Sequence, residues 1–239
     1  MKFRTCLSIL ILSALISCKN VSDQDVPKTP DDAESLISFE HGELLDSFIR
    51  IAEQDSVDLN GLIRTEKFSS LIDGPLSRAK VREIVKKHTR SAIAKNKFND
   101  DMEPILIKGF IYDEASNKAL ENVSIELIHT DAEGKYFDEE GSWNPKIFFY
   151  LRSDNKGMFT LMTHMPGKYS DDHENITPSH IHFTLEHPSY RMYASEFSFD
   201  DDTVIVQEGN SEDLILAELF ESDSLKTYSV QIPMQAIGE

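Results

Sequence analysis

The stretch Pro178-Ser179-His180-Ile181-His182-Phe183 alternates polar and apolar side chains, and it predicts a β-strand that begins at His180. Side chains of a strand point alternately to its two faces, so His180 and His182 lie on one face and Ile181 and Phe183 on the other. Two imidazoles at this spacing are typical of a metal site, but also of histidines that hydrogen-bond to the backbone. The pair alone leaves both interpretations open.

Short β-rich runs separated by turn residues surround this strand. One of these turns is Asp154-Asn155-Lys156-Gly157, which predicts a hairpin with glycine where the backbone needs a positive φ. Strands at this spacing predict a mainly β fold, an antiparallel β-sandwich, over residues 101–239. The predicted strands are 105–112, 123–129, 147–152, 158–163, 180–185, 192–199 and 228–234.

The sandwich is preceded by a small α-helical segment, predicted over residues 34–100 from apolar residues at three- and four-residue spacing. One helix of this segment is expected to begin with Ser77 as its N-cap. Residues 211–221 show the same spacing and predict a further helix before the last strand. Two roles stay open for the helical segment, a spacer or a dimerisation element, and a homo-oligomer is among the expected assemblies.

Residues 1–17 are interpreted as a signal peptide. Lys2 and Arg4 precede an apolar run that is too short to span a bilayer. The following Leu15-Ile16-Ser17-Cys18 resembles a bacterial lipobox, which implies cleavage before Cys18 and acylation of its thiol. An ordinary signal peptide with an incidental cysteine is the alternative.

The chain is therefore expected to be exported and anchored by lipid at Cys18 to the bacterial cell envelope. Lys19, next to the acylated residue, favours the outer membrane. Residues 18–33 are polar and predict a flexible tether. Cys6 lies within the signal peptide, so no disulfide is expected in the mature fold.

The formal net charge of −18 makes nucleic acid an unfavourable partner, because an acidic chain repels phosphate backbones. Acidic clusters, among them Asp200-Asp201-Asp202, are interpreted as solvated loops.

Two tyrosine motifs precede the histidine pair, and both bear on the choice of metal. Gly134-Lys135-Tyr136 and Pro166-Gly167-Lys168-Tyr169 each supply a phenol group. Phenolate oxygens are hard, anionic ligands, and they suit a highly charged cation such as Fe(III).

The motifs ending at Tyr136, Tyr169 and Phe183 occur in an order that resembles the intradiol ring-cleavage dioxygenases, the family of catechol and protocatechuate dioxygenases. The resemblance spans residues 106–202. It implies an intradiol dioxygenase-like sandwich and an enzyme that inserts O₂ into a catechol-type aromatic ring to give a muconate-type diacid. It also implies a mononuclear non-haem Fe(III) held by Tyr136, Tyr169, His180 and His182, with Tyr169 taking up a substrate proton.

Two positions depart from the pattern of the family. Thr177 stands three residues before His180, where the better-characterised members have an arginine whose charge stabilises the developing anion. Glu196 stands where the family usually has glutamine, and its negative charge would disfavour acidic catechols. Together with Tyr169, these two residues are the catalytic candidates.

Two other functions stay open on the sequence. The first is a non-catalytic metal-binding β-sandwich module on a membrane-anchored lipoprotein. The second is a cupin-like enzyme that uses His180 and His182, although the following strand does not supply the further ligands at cupin spacing.

Overall fold

The computed structural model describes residues 42–54, 57–96, 102–136, 145–170, 175–208, 214–221 and 225–238. The predicted signal peptide (1–17) and tether (18–33), with Cys18, lie outside the described residues. Within the described residues, no helix combines the length and the hydropathy needed to span a membrane.

A small group of helices precedes the sheet, as predicted. The described helices are α1 (residues 42–52), α2 (Leu59–Leu62), α3 (Ser70–Asp73), α4 (Pro75–His88) and, later in the chain, α5 (Thr203–Glu208). The predicted N-cap of α4 was wrong: the helix begins at Pro75 with Gly74 as its N-cap, and Ser77 is buried inside the first turn. Proline fits the first helical position because the amide hydrogen it lacks would have no partner there.

The rest of the chain is mainly β, which confirms the predicted fold class. The strands are β1 (Ile93–Lys95), β2 (Pro104–Asp113), β3 (Ser124–His129), β4 (Ile147–Arg152), β5 (Met158–His164), β6 (Tyr169–Ser170), β7 (Ile176–Thr177), β8 (His180–Glu186), β9 (Tyr193–Phe199), β10 (Ile215–Glu221) and β11 (Lys226–Met234). Gly157 has a φ of 72° in the turn before β5, as the hairpin prediction requires.

Nine of the described strands form one sheet in the order β1-β5-β2-β11-β10-β9-β8-β3-β4, while β6 and β7 form a separate hairpin. The sheet is mostly antiparallel, but β1–β5, β2–β11 and β9–β10 are parallel pairs, which the sequence did not predict. β10 pairs with β11 on one side and β9 on the other, so it joins the two halves that enclose the core.

The helix predicted at 211–221 was wrong, because Ile215–Glu221 forms β10. A short apolar run does not by itself distinguish a helix from a strand. Here hydrogen bonds to a strand on each side favour the extended conformation, and α5 lies earlier in the chain.

The helices that precede the sheet pack on its outer face. Phe48, Phe68, Val81 and Val85 form an apolar cluster with Phe148 and Tyr150 of β4 and other buried residues. Asn60, fully buried, pairs with the outer edge of β4, the last strand of the sheet: its Nδ2 donates to Tyr150 O at 2.7 Å, and Tyr150 N donates to its Oδ1 at 3.0 Å. A single side chain thus satisfies two backbone groups at the sheet edge, which would otherwise be left without partners.

Candidate metal centre

β8 places the two histidines as the alternation predicts. Ile181 and Phe183 lie in the sandwich core, whereas His180 and His182 lie on the opposite face. Their Nε2 atoms are 3.3 Å apart. His180 is buried and His182 is partly exposed, so the pair lies at the boundary between the protein interior and solvent.

The other ring nitrogen of each histidine has an acceptor. Nδ1 of His180 lies 2.8 Å from Pro178 O, which can only accept a hydrogen bond. Nδ1 of His182 lies 3.3 Å from Oε2 of Glu196, the residue opposite it in β9. Both contacts favour the tautomer with hydrogen on Nδ1, which leaves the lone pair of each Nε2 available to a metal.

Tyr136 reaches the same point from a separate turn. The side chain of Asp131 shapes this turn, because its Oδ1 accepts hydrogen bonds from Glu133 N and Lys135 N, both at 2.9 Å. The hydroxyl of Tyr136 then lies 2.8 Å from Nε2 of His180. A phenol oxygen and two imidazole nitrogens therefore converge on one point.

Tyr169 completes the group from the β6–β7 hairpin, in which it pairs with Thr177. Its ring centroid is 5.9 Å from that of Tyr136 and 5.7 Å from that of His180. Its hydroxyl is hydrogen-bonded to Tyr136 and to the Thr177 side chain. The structure thus brings Tyr136, Tyr169, His180 and His182 together and sets Thr177 directly against one of the phenols.

The two tyrosine segments approach each other through glycine. Gly134 has a φ of 82°, and a Cβ built there would lie 2.2 Å from Lys168 O. A Cβ at Gly167 would lie 2.3 Å from Gly134 N. Asp131 O accepts hydrogen bonds from both glycine amides, at 3.1 Å and 2.8 Å. Only glycine, which has no Cβ, allows the two backbones to approach this closely. The glycines of the two motifs therefore set the distance between Tyr136 and Tyr169.

Burial favours the neutral forms of Tyr136, Tyr169 and His182. It raises the pKa of Tyr136, and the nearby Tyr169 and Glu196 raise it further. Burial also raises the pKa of Tyr169, but its hydrogen bonds with Tyr136 and Thr177 oppose that shift. The pKa of His182 is lowered by burial and by His180, which keeps its imidazole neutral, the form that binds metals.

A carboxylate also lies close to the two histidines. The potential ligand atoms of His180, His182 and Glu196 all lie within 4.8 Å of one another. Glu196 contacts Nδ1 of His182, on the opposite side of the ring from Nε2, so its geometry is that of a residue that orients His182. Two phenols and two imidazoles that present Nε2 to one point are a fitting donor set for ferric iron.

Two further buried polar residues are Asp202, which was misassigned from the sequence, and His129, for which packing was the favoured interpretation. Asp202, assigned to a solvated acidic loop, is buried and its carboxylate accepts hydrogen bonds beside the site. His129 is fully buried, with Nδ1 2.6 Å from Thr130 O and Nε2 2.8 Å from Thr163 Oγ1. Acidic runs are usually exposed, so only the fold could distinguish Asp202 from its neighbours.

The family model described as "Dioxygenase" matches residues 72–234, more than half of the chain. The protein therefore belongs to the intradiol ring-cleavage dioxygenase family, as its sequence motifs indicate. The match includes the predicted ligands and helix α4 as well as the sheet.

Among known proteins, the chain is 25% identical over 117 residues to a catechol 1,2-dioxygenase of Acinetobacter guillouiae, a match that covers 42% of this chain and 37% of that relative. Catechol 1,2-dioxygenase from Pseudomonas arvilla C-1 has a similar structure, with a TM-score of 0.52, 13% identity and coverage of 84% of this chain and 94% of that one. Hydroxyquinol 1,2-dioxygenase from Pseudomonas putida DLL-E4 has a TM-score of 0.50 at 16% identity, covering 86% of this chain and 87% of that one. These structural likenesses establish the shared fold.

Proposed function

We propose that this protein is a non-haem Fe(III) intradiol dioxygenase that cleaves a catechol-type ring with O₂ and yields a muconate-type diacid. The observation that carries the proposal is the convergence of one phenol and two imidazoles, with Tyr136 Oη 2.8 Å from His180 Nε2 and the two Nε2 atoms 3.3 Å apart. Tyr169 supplies a second phenol at the same point. Family membership supports this reading of the donor set.

In the proposed site, Tyr136, Tyr169, His180 and His182 hold the iron. Ferric iron bound there would supply a Lewis acid that activates a catecholate toward O₂. The phenolate oxygen of Tyr169 is assigned to accept a proton from a catechol hydroxyl, because the resemblance of Pro166-Gly167-Lys168-Tyr169 to the family motif implies this role. The Thr177 hydroxyl, hydrogen-bonded to Tyr169, would steady that oxygen in both protonation states.

Glu196 defines the class of catechol. Its side chain is 42% exposed and lies beside His182, so a substrate in the site faces a carboxylate. A second negative charge on the substrate would be repelled, and neutral catechols are therefore the expected substrates. Thr177 adds no positive charge that could offset this repulsion.

The first test is the visible absorption spectrum of the iron-loaded protein with and without catechol. A phenolate-to-iron band should be present, should shift with catechol, and should be lost or strongly weakened in Tyr136→Phe and Tyr169→Phe. Tyr112→Phe is the matched control, because Tyr112 stacks on Phe110 in β2 and lies outside the cluster. A colourless protein that ferric iron does not reconstitute would overturn the proposal.

Thr177 favours a second candidate function, a non-catalytic metal-binding module, since the position lacks the fixed charge of the better-characterised enzymes. Oxygen uptake and product analysis with a panel of neutral catechols separate the two functions. Turnover supports the enzyme, whereas bound iron with no turnover on any catechol supports the module.

We also propose that the protein is exported and lipid-anchored through Cys18, with the outer membrane as its location, on the strength of the lipobox-like Leu15-Ile16-Ser17-Cys18. Labelled palmitate should be incorporated into the wild-type protein and into Cys6→Ala, and not into Cys18→Ala. Incorporation into the Cys18 variant would contradict the proposal.

A further inference from the structure

Asp202 is a buried carboxylate that lies between two segments of the candidate site. Its side chain is 4% exposed, and it follows β9 at the start of α5. Val204 N donates to Oδ1 of Asp202 at 2.8 Å, and Val206 N donates to the main-chain oxygen of Asp202 at 2.9 Å. These bonds cap α5 and fix the position of the carboxylate.

The same carboxylate contacts the residue that precedes each of two predicted ligands. Nζ of Lys168, next to Tyr169, lies 2.8 Å from its Oδ1. The backbone N–H of Ser179, next to His180, donates to its Oδ2 at 3.1 Å. The Asp202 side chain therefore joins the segment that carries Tyr169 to the segment that carries His180.

A second link runs parallel to the first. The Ser179 hydroxyl, which is buried, donates to Pro166 O at 2.7 Å, so the two segments also contact each other directly. Lys168 extends the connection to α5, since its Nζ also lies 2.8 Å from Thr203 Oγ1. Burial by itself would raise the pKa of Asp202, but the bonds from Lys168, Val204 and Ser179 outweigh it and hold that pKa below its ordinary value, so the carboxylate is charged at neutral pH.

We propose that Asp202 is a positioning residue that sets the separation between the Tyr169 phenol and the His180 imidazole before a metal binds. Ligands on separate segments must be held within about 0.5 Å of their productive positions to bind a metal well. The statement about metal binding rests on the proposed function. The link between the two segments does not depend on it.

The test uses Asp202→Asn, with Asp201→Asn as the matched control. Asp201 is the adjacent acidic residue, but its partners are Tyr228 Oη at 3.0 Å and Lys226 Nζ at 3.3 Å, away from the ligand segments. The first measurement is amide hydrogen exchange of metal-free protein by NMR. The Ser179 amide should exchange about tenfold faster or more in Asp202→Asn, and at the wild-type rate in Asp201→Asn.

The second measurement is the dissociation constant for ferric iron, obtained by competition with a chelator, together with the position of the phenolate-to-iron band. Asp202→Asn should weaken iron binding by about 10- to 100-fold, the range for a residue that supports metal ligands, and should shift the band. Asp201→Asn should leave both within twofold of wild type. A variant that is only less stable would not shift the phenolate-to-iron band of the folded protein. It would also not raise the exchange rate of the Ser179 amide alone.

Lys168→Met provides a second variant, which removes the Lys168 bonds to Asp202 and to Thr203 Oγ1 and leaves the Ser179 bond to Asp202 in place. It should weaken iron binding while Ser179 exchange stays slow, and it keeps the proposal testable if Asp202→Asn does not fold. Wild-type exchange at Ser179 together with wild-type iron affinity in Asp202→Asn would overturn the proposal. If the wild-type protein itself binds no iron, the proposed function fails, and Ser179 exchange still decides whether Asp202 joins the segments.

Discussion

Oε2 of Glu196 lies 3.3 Å from Nδ1 of His182, on the side of the imidazole ring opposite the Nε2 atom that faces His180. This relationship assigns Glu196 to orienting His182. Under the proposed function, it also brings the negative charge of Glu196 near the site in which a substrate would bind.

Glu196→Leu should therefore weaken ferric iron binding by about tenfold or more, because Nδ1 of His182 loses its acceptor and the ring loses its orientation. Glu196→Gln should bind iron nearly as well as wild type, since the amide oxygen can accept the same hydrogen bond. Chelator competition measures both. Equal affinities for the leucine variant and wild type would contradict the orienting role.

Glu196→Gln should also change substrate selection. Removing the carboxylate takes away a repulsion of the order of 1 kcal/mol toward a carboxylated catechol, about a fivefold effect. The ratio of kcat/KM for protocatechuate to that for catechol should rise by about this factor. A ratio that stays constant would show that the Glu196 charge does not reach the substrate.

Gly134→Ala should destabilise the protein by about 3 kcal/mol, because the new Cβ would lie 2.2 Å from Lys168 O in a backbone conformation with a φ of 82°. Gly238→Ala is the matched control, since Gly238 also has a positive φ, of 105°, but no atom lies within 4 Å of a Cβ there. The control should cost about 1 kcal/mol. Chemical denaturation measures both, and equal losses would show that the close approach is not what makes Gly134 necessary.

Asn60→Ala should lower the free energy of unfolding by about 2–3 kcal/mol, because Tyr150 N–H and C=O at the buried edge of β4 would both lose their partner. Lys67→Ala, which removes an exposed bond to Ser47 Oγ, should change it by less than about 0.5 kcal/mol. Urea denaturation distinguishes them. A loss for Asn60→Ala as small as that of the control would contradict the clamping role.

The buried position of His129 should make the stability of the metal-free protein sensitive to acid. Burial, His164, Arg64 and His180 lower the pKa of His129 from 6.5 to about 3, although its bond to Thr130 O opposes this. The unfolded chain therefore binds one more proton than the native state between these two pKa values. Stability is fully present above pH 6.5 and falls as the pH drops toward 3, by about 1.4 kcal/mol per pH unit from this residue.

His129→Asn should reduce that slope, because Asn keeps a donor for Thr130 O and does not titrate. Chemical denaturation of wild type and variant at a series of pH values gives the difference. His187→Gln, at the turn before β9, is the matched control for the loss of one histidine. An unchanged slope in His129→Asn would assign the acid sensitivity to other groups.

Local patterns predicted most of the strands and the composition of the candidate site. The alternation around Ile181 determined which face of β8 carries the histidines, because strand geometry has a period of two residues. The motifs ending at Tyr136 and Tyr169 indicated the phenols and the family. The strand Ile215–Glu221 was mistaken for a helix because its conformation depends on neighbours on both sides, which a local pattern does not include.

The sequence by itself determined the residue types of the site and their order along the chain, because the motifs and the alternation of a strand are local properties. Only the tertiary structure decided that Glu196 lies against His182, that Thr177 lies against Tyr169, and that Asp202 is buried between two ligand segments. These relationships join residues on separate strands and loops. Their distances depend on how the sheet and its loops pack, which no local pattern contains.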